Sequence, residues 1–380
     1  MAGYVFALGG QNPIDILKDV VEKGVFSSRV SLHYKAFEGT MADYLSMKPG
    51  DNIYFFSKRT FYGVGELVQL TIEDKYLDCK FCNFPHSSAL KPFDYKSIKK
   101  SLLVDFGLDS PNYRWIYTFK GSPAIYDHGV DMDEVLSYKP HAFKMIRAFQ
   151  GLSFIKIDEE ENQALKEILL LKNRNNQTGT FTENPIHAAL AKQIIQNDYE
   201  INCSDLLKHC HKGNEISHEL ALEVATVNAL AKGNLADLGK WDYIARQVVA
   251  SPIKPVIYMD KIDVFAINFL QIPGYKQPKV PCRFLILELK RGSANDETVD
   301  QIMKYVDWVC KTYAYGDYDL IDAAIIAHEI PPKVKQYSTS NAIRNYTQGT
   351  HPSINKCWNS LKFYEYRYDE INENTNFIPK

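Results

Sequence analysis

The sequence lacks a run of about 18 apolar residues, the length that a membrane-crossing helix needs, and it lacks a secretory signal peptide. A membrane protein or an exported one is therefore not expected. The seven cysteines are odd in number and scattered along 380 residues, which argues against a disulfide framework. We expect free thiols and a protein of the reducing cytoplasm.

Several functional signatures are also missing. No Walker sequence and no serine nucleophile elbow is present, and Gly63-Val-Gly65 lacks the strand-to-helix context of a dinucleotide-binding loop. Nucleotide-driven motors and serine hydrolases of these kinds are excluded. The net charge of −2 gives no overall attraction to a polyanion, so a nucleic-acid partner would have to meet local basic patches.

Zinc ligands are incomplete. Cys79-x-x-Cys82 has the spacing of half a zinc site, with His86 nearby, but no second pair follows locally. The other cysteines and histidines that could join it lie far along the chain, at Cys203, His209, Cys210 and His211. Whether Cys79 and Cys82 bind zinc stays open.

The chain is long enough for two or three domains. In the N-terminal part, short apolar stretches predict strands at residues 4–8, 52–57, 62–70, 114–119 and 153–157, and apolar spacing predicts helices at 14–23 and from 158 onward. This pattern indicates a β-rich domain with peripheral helices. The polar tract that starts at Leu171 indicates a linker, and the short helical patterns at 187–196 and 204–210 indicate either a helical spacer or the first part of the C-terminal domain.

The C-terminal part carries the clearest chemistry. Glu288 and Lys290 are two apart at the end of an apolar strand, so they point to the same face. Asp263 lies in another apolar segment, and a hairpin returning from Asn268 to Phe284 would bring its carboxylate beside Glu288. Two acidic oxygens beside one lysine favour a Mg²⁺ site. The alternative is that Glu288 and Lys290 form an exposed ion pair on an edge strand.

Helices and further strands surround these residues. A helix predicted over 215–231 has Glu223 at the margin of its apolar face, with Glu219 further round. A second helix carries Gln301 and Tyr305, and apolar strands are expected at 320–327 and from Lys362. Strands interleaved with helices indicate a mixed α/β core.

The set of Lys-Ile-Asp263, Leu-Glu288-Leu-Lys290 and Gln301-x-x-x-Tyr305 resembles the PD-(D/E)xK nuclease superfamily, in particular the EndoMS/NucS-like C-terminal domain and its RecB-like relatives. The resemblance runs from Glu215 to about Tyr368. The sequence departs from the superfamily in having Ile262 before the aspartate where Pro is common, and in the long segment that separates Asp263 from Glu288.

This resemblance implies a restriction-endonuclease-like mixed sheet flanked by helices, and a bound Mg²⁺ or Mn²⁺. The implied metal ligands are Asp263, Glu288, the Leu289 carbonyl and Glu223; for Glu223 a solvated helix carboxylate is an equal alternative. Lys290 would orient the attacking water or stabilise developing charge, and Gln301 would support the site or touch the DNA backbone. The residues expected at the DNA backbone are Arg291, Lys304 and Tyr305.

The N-terminal part, with Pro49-Gly50-Asp51 before an apolar strand and Tyr62-Gly-Val-Gly-Glu66 after it, resembles PUA-like domains of the EVE, YTH and ASCH group. This resemblance implies a β-barrel whose mouth receives a flipped base between aromatic rings. The implied pocket residues are Phe56, Ser57, Tyr62, Trp115 and Tyr117. The alternative for each aromatic side chain is simple packing inside the barrel.

We therefore predict a PUA-like DNA-recognition domain over 1–172, a linker and helical spacer over 173–214, and a nuclease domain over 215–380. The predicted function is a metal-dependent endonuclease for double-stranded DNA that recognises a modified base in a restriction or defence role. The alternatives are a repair endonuclease for mismatched or branched DNA, and a non-catalytic binding protein with a degenerate nuclease fold. Because cutting both strands usually needs two active sites, a homodimer is favoured.

Overall fold

The computed structural model describes residues 2–8, 13–29, 34–69, 75–77, 113–121, 129–148, 154–174, 203–208, 210–250, 260–274 and 279–380, together with 187–188, 191–192 and 195. The chain divides into two compact units, Met1–Asn202 and Cys203–Lys380. The second unit thus begins ahead of the predicted start at Glu215. The functions assigned to the two parts stay predictions.

The first unit combines a sheet with short helices. Its strands are β1 Gly3–Ala7, β2 Val25–Arg29, β3 Asn52–Ser57, β4 Thr60–Leu67, β5 Lys75–Leu77, β6 Tyr113–Gly121, β7 Val130–Asp131 and β8 Phe154–Ile157. Its α-helices are α1 Pro13–Lys23, α2 Tyr34–Leu45, α3 Met132–Tyr138 and α4 Glu159–Lys172. The strands and helices predicted in this part are therefore confirmed, apart from shifts of a few residues at their ends.

The sheet of the first unit is an open path, not the predicted closed barrel. The strand order is β2-β6-β4-β3-β1-β8, with β5 added to β6 and β7 added to β4. A barrel closes when its first and last strands pair, and in the described part of the chain β2 pairs with β6 and β8 pairs with β1. The prediction of a β-rich unit with helices is right, whereas the closed barrel is wrong for the described residues.

Aromatic rings fill the interior of the first unit. The Phe6 ring lies 4.5 Å from Tyr117, 5.2 Å from Phe154 and 5.3 Å from Phe26, between ring centroids. These separations suit the edge-to-face and offset arrangements that aromatic pairs prefer. All four rings are buried, so the aromatic residues of β1, β2, β6 and β8 form the core.

The second unit alternates strands and helices as predicted. Its strands are β9 His211–Lys212, β10 Glu215–Ile216, β11 Tyr243–Val249, β12 Lys261–Gln271, β13 Lys279–Ser293, β14 Ile321–Glu329, β15 Arg344–Gln348, β16 Ile354–Trp358, β17 Leu361–Asp369 and β18 Asn374–Pro379. Its α-helices are α5 Ser204–Leu207, α6 Glu219–Lys232, α7 Asp296–Thr312 and α8 Pro332–Asn341.

A mixed sheet of six strands, in the order β11-β12-β13-β14-β17-β18, organises the second unit. β13, β14 and β17 are parallel, and the remaining pairings are antiparallel. Every residue from Phe284 to Leu289 is buried, which is expected of a central strand with both faces covered. Truncating one of these side chains, as in Leu287→Ala, would cost about 2–5 kcal/mol.

The boundary of one predicted helix needs correction. The helix predicted to start at Glu215 begins at Glu219 instead, because Glu215 and Ile216 pair with β9 as strand β10. The spacer helix near Ser204 is the single turn α5, and it belongs to the second unit. Most of the predicted linker lies outside the described residues. No helix in the described part of the chain is long and apolar enough to cross a membrane.

Candidate active site

The β12–β13 hairpin brings Asp263 and Glu288 together, as predicted. Its register pairs Asn268 with Arg283 and Val264 with Leu287, so Asp263 and Glu288 are the next pair along the two strands. The Asp263 Oδ2 atom accepts a hydrogen bond of 2.9 Å from the Leu289 amide. Strand pairing therefore fixes one oxygen of Asp263 against the strand that carries Glu288.

Glu288 and Lys290 lie on one face of β13, and they are in contact. The Lys290 Nζ atom donates to Glu288 Oε1 over 2.7 Å. Glu288 has no exposed surface, whereas the Lys290 side chain is 29% exposed. Because β13 is an interior strand of the sheet, the alternative of an exposed ion pair on an edge strand is wrong.

The second oxygen of Glu288 is the unusual feature of this cluster. Glu288 Oε2 is buried and has no hydrogen-bond partner among the described residues. A buried carboxylate oxygen without a partner is costly, and such atoms call for an explanation such as an ion or a catalytic role. Glu288 Oε2 is therefore an acceptor that no described protein donor satisfies inside the cluster.

The two carboxyls of the cluster, Asp263 and Glu288, both have raised pKa values. Burial raises the pKa of Asp263 above its usual range, and burial followed by repulsion from Asp263 raises the pKa of Glu288. Burial alone would lower the pKa of Lys290, but the Glu288 and Asp263 carboxylates raise it above its ordinary value. One ammonium group therefore faces more negative charge than it can neutralise.

Helix α6 adds two acidic side chains to this environment. Glu223 is 2% exposed, and its Oε1 atom accepts a 2.6 Å hydrogen bond from Gln247 Nε2. Arg246 lies 3.4 Å from Glu223 Oε2. Glu219, which the sequence placed further round the helix, is one turn earlier on the same face, and its charge helps to raise the pKa values of Asp263 and Glu288. Glu223 is therefore buried and not a solvated helix carboxylate, and its role as a metal ligand stays a prediction.

Helix α7 supplies Gln301 and Tyr305. Its start is fixed by a capping box between Asn295 and Thr298, and the amphipathic helix that follows buries Tyr305. Gln301 Nε2 donates to the Tyr305 hydroxyl over 3.1 Å. Burial, with the Glu288 and Asp263 carboxylates adding to it, raises the pKa of Tyr305 to about 12. Both side chains are thus near the acidic cluster, with the phenol kept neutral.

The two basic residues expected at the DNA backbone lie on the surface in ion pairs. Lys304 pairs with Asp260, and Arg291 lies 3.6 Å from Glu215 and donates to the Ser217 carbonyl. Both cations are more than half exposed. A phosphate could therefore reach them by displacing an exposed acidic partner, which costs little.

The cluster fits a hard divalent cation better than a closed structural site. Among the residues that the structure describes, no group of three or more His, Cys, Asp or Glu side chains is arranged to hold a metal ion. Glu223 and Asp263 both accept hydrogen bonds from Gln247, and a carboxylate oxygen that accepts one hydrogen bond keeps a further lone pair for a metal ion. Mg²⁺ is commonly held by one or two carboxylates while it keeps waters and substrate phosphate. The unpartnered Glu288 Oε2 would be a ligand oxygen for such an ion.

The residues expected to form a base pocket in the first unit are distributed differently from the prediction. Tyr117 is fully buried within the aromatic core, so its ring is not available to stack on a base. The half-buried Phe56 packs on Phe61 with 4.7 Å between centroids, and Ser57 is buried at the end of β3. Tyr62 is half-buried on β4. The Trp115 side chain and the Cys79–Cys82 pair lie outside the described residues.

Arg246 and Gln247 are the site residues that the sequence analysis missed. They lie on β11, which was not predicted. The run Tyr243-Ile-Ala-Arg-Gln-Val-Val249, bounded by Asp242 and Pro252, has the β-branched residues and flanking turn formers of a strand. That signal could have placed a strand there, but nothing in the sequence indicates that Gln247 turns toward Asp263.

Comparisons with known proteins add little to this geometry. No family model and no curated protein matches the chain. Among solved structures, a repair endonuclease from Pyrococcus abyssi matches with 20% identity and a TM-score of 0.22, over 32% of this chain and 43% of that one. A hypothetical protein from Leishmania major matches with 15% identity and a TM-score of 0.30, over 46% of this chain and 98% of that one. Likenesses this weak carry no argument.

Proposed function

We propose that the second unit is a metal-dependent nuclease that hydrolyses phosphodiester bonds. The observation that carries this proposal is the convergence of Asp263, Glu288 and Lys290, with a buried oxygen of Glu288 left without a partner. The carboxylates would hold Mg²⁺ or Mn²⁺, with the Leu289 carbonyl as a further ligand. A bound divalent cation would polarise the scissile phosphate and lower the pKa of a water molecule.

The side chains around the carboxylates have complementary roles in this proposal. Lys290 stays protonated because the carboxylates hold its pKa high, so it can orient the attacking water and stabilise negative charge that develops on the phosphate. Tyr305 stays neutral and accepts from Gln301, which leaves its hydroxyl proton free to be donated. Gln301 therefore orients Tyr305.

We propose double-stranded DNA as the substrate. Lys304 and Arg291 are exposed cations on α7 and β13, the two elements that carry the site, and phosphate contacts of this kind fix position and not sequence. The sequence resemblance assigns the recognition of a DNA feature, such as a modified base, to the first unit. Restriction of modified DNA and repair of mismatched or branched DNA differ in that feature, and two chains would supply the two sites for cutting both strands.

A cleavage screen tests the proposal. The full chain would be incubated with plain, methylated, mismatched and branched duplexes that carry a fluorescent label on each strand, with Mg²⁺, Mn²⁺ or EDTA. We expect cleavage that requires the cation and is lost in EDTA. Preference for methylated duplexes would indicate restriction, and preference for mismatched or branched ones would indicate repair.

The same screen can reject the proposal. DNA binding in a mobility-shift assay without cleavage of any duplex would support the non-catalytic alternative, in which the fold only binds. Cleavage that persists in EDTA and in Glu288→Ala would point to a contaminating or metal-independent nuclease. Mn²⁺-dependent cleavage that disappears in Glu288→Ala supports the assignment of the site.

A further inference from the structure

Gln247 has a backbone conformation that is out of place in a strand. Its φ is +51°, in the left-handed region that residues other than glycine rarely adopt. The other non-glycine residues of the described chain with such a φ lie in turns; they are Lys58, Arg59, Tyr315 and Glu373. Gln247 instead lies within β11, so its conformation is not required by a change in chain direction.

The strand register shows where the Gln247 side chain lies. β11 pairs Arg246 with Val264 and Val248 with Ile262, which places Gln247 opposite Asp263. Residues directly opposite each other on antiparallel strands lie on the same face of the sheet, and the Gln247 side-chain amide lies in the acidic cluster, where Nε2 donates to Glu223 Oε1 over 2.6 Å and to Asp263 Oδ1 over 3.2 Å. Strained backbone of this kind persists where the surroundings enforce it, and it is concentrated at functional sites.

The amide joins two carboxylates that would otherwise repel each other. A carboxylate only accepts hydrogen bonds, so the NH₂ group of Gln247, and not its oxygen, must face both. Asp263 then has both oxygens fixed, since Oδ2 accepts from the Leu289 amide. Glu223 also has both oxygens engaged, because Arg246 lies against Oε2. Gln247 thus ties helix α6 to strand β12 and leaves Glu288 Oε2 as the oxygen without a partner.

From this geometry we infer that Gln247 is a positioning residue that sets the spacing of Asp263 and Glu223 and thereby the affinity of the site for a divalent cation. It acts through the carboxylates and does not touch the substrate. The inference rests on the proposed function, because it assigns Gln247 to the same metal site. Hydrogen-bond partners of metal ligands orient the ligands, and their removal weakens metal binding by roughly 10- to 100-fold.

Two substitutions distinguish the role of the Gln247 side-chain amide from that of its left-handed backbone conformation. Gln247→Gly removes the amide and suits the left-handed conformation. Gln247→Asn keeps an amide and also tolerates this conformation, but it is one methylene too short to span both carboxylates. Tyr315→Gly is the matched control, because Tyr315 has a φ of +52° and is 93% exposed in a turn.

The test is a titration of the DNA-free protein with Mn²⁺ alone, following free Mn²⁺ by electron paramagnetic resonance, with circular dichroism on the same samples. We expect folded Gln247→Gly and Gln247→Asn proteins that bind Mn²⁺ about tenfold or more weakly than wild type, and a Tyr315→Gly protein that binds as wild type does. A residue that only supports folding would change the melting temperature but not the affinity of the folded protein for Mn²⁺.

The outcomes are distinguishable. Wild-type affinity in Gln247→Asn, or in a folded Gln247→Gly, overturns the inference and leaves the nuclease proposal intact. If Gln247→Gly does not fold, Gln247→Asn alone decides. A wild-type protein that binds no Mn²⁺ overturns the nuclease proposal and, with it, the role of Gln247.

Discussion

Each unit of this protein contains a fully buried glutamate, Glu161 in the first and Glu288 in the second, and the two are alike by most measures. Neither has exposed surface, and each has an Oε2 atom without a hydrogen-bond partner among the described residues. Burial raises the pKa of both. A search for perturbed carboxyls would therefore rank them together.

Their neighbours differ. Glu161 Oε1 accepts from the backbone amides of Lys144 and Ile146, and its own amide donates to Asp158, the N-cap of α4. These contacts fasten a loop to the start of a helix. Glu288 meets the side chains of Asp263 and Lys290, which can bind a cation and a phosphate. Glu161 also has a carboxyl and a lysine nearby, since Asp158 raises its pKa and Lys144 pairs with Asp158, but its own oxygen accepts from backbone amides whereas that of Glu288 accepts from a lysine ammonium. Burial and a raised pKa therefore identify a candidate, and the groups that bond the carboxyl distinguish a role in folding from a candidate site.

The largest expected contrast comes from removing one charge in each unit. Glu288→Gln keeps the shape of the side chain but weakens cation binding, and we expect Mg²⁺-dependent cleavage to fall on the order of 10³-fold, as when a preorganised electrostatic group is lost. Glu161→Gln should leave cleavage unchanged because its contacts serve the helix start. Single-turnover rates on the best duplex measure both. Equal losses of cleavage in the two variants would contradict the different roles of Glu288 and Glu161.

The lysines that accompany these glutamates give a second contrast. Lys290→Met should lower the cleavage rate by about 10²-fold while the cation still binds, since Mn²⁺ affinity depends on the carboxylates. Lys144 is 3.3 Å from Asp158, and both are buried. Lys144→Met should instead cost about 3–5 kcal/mol of unfolding free energy without changing the cleavage rate of the folded protein. Urea unfolding would measure the stability of each variant, and cleavage rates would measure its activity. A slower cleavage rate in folded Lys144→Met, or a normal one in Lys290→Met, would contradict these two roles.

A third expected contrast concerns pH and stability. Three carboxyls have higher pKa values in the folded protein than in the unfolded chain, where the value is about 4. Their folded-state pKa values are about 6 for Asp263 and about 8 for Glu288 and Glu161. These groups therefore keep protons in the folded protein that they lose on unfolding. The native state binds more protons in this window, so metal-free stability falls as pH rises from about 4 to about 8. Calorimetry should show a declining melting temperature across this range.

Measuring the melting temperature with added Mn²⁺ tests which of these carboxyls binds the cation. Near pH 8, the cation should raise the melting temperature of wild type by several degrees, since it binds the folded state, and should not raise that of Glu288→Gln. Glu161→Gln should lose part of the pH dependence and keep the full response to Mn²⁺. A Mn²⁺ response in Glu288→Gln as large as in wild type would place the cation elsewhere.

Much of the second unit could be predicted from the sequence. The apolar run from Phe284 to Leu287 indicates a buried strand, the two-residue spacing of Glu288 and Lys290 fixes their common face, and a hairpin returning from Asn268 to Phe284 brings Asp263 beside Glu288. These are local patterns, and local periodicity reports which faces are buried. The boundary error at Glu215 is also local, because a two-residue strand has too few side chains to show a period.

The first unit was less predictable for a related reason. Its strands are visible in the sequence, but whether they close into a barrel depends on pairings between residues far apart along the chain. The same applies to Tyr117, whose aromatic ring is equally suited to a pocket or a core. Only the packing around it places that ring in the interior.

The sequence by itself determined the alternation of strands and helices in the second unit and the order of the acidic and basic side chains along β12 and β13, because these follow from periodicity and spacing. Tertiary structure alone decided that Gln247 has a left-handed conformation within β11 and bonds both Asp263 and Glu223, that the charge of Glu219 acts on the cluster, and that one oxygen of Glu288 has no partner among the described residues. These features depend on contacts between distant segments, and such contacts are set by how the elements pack and not by any one of them.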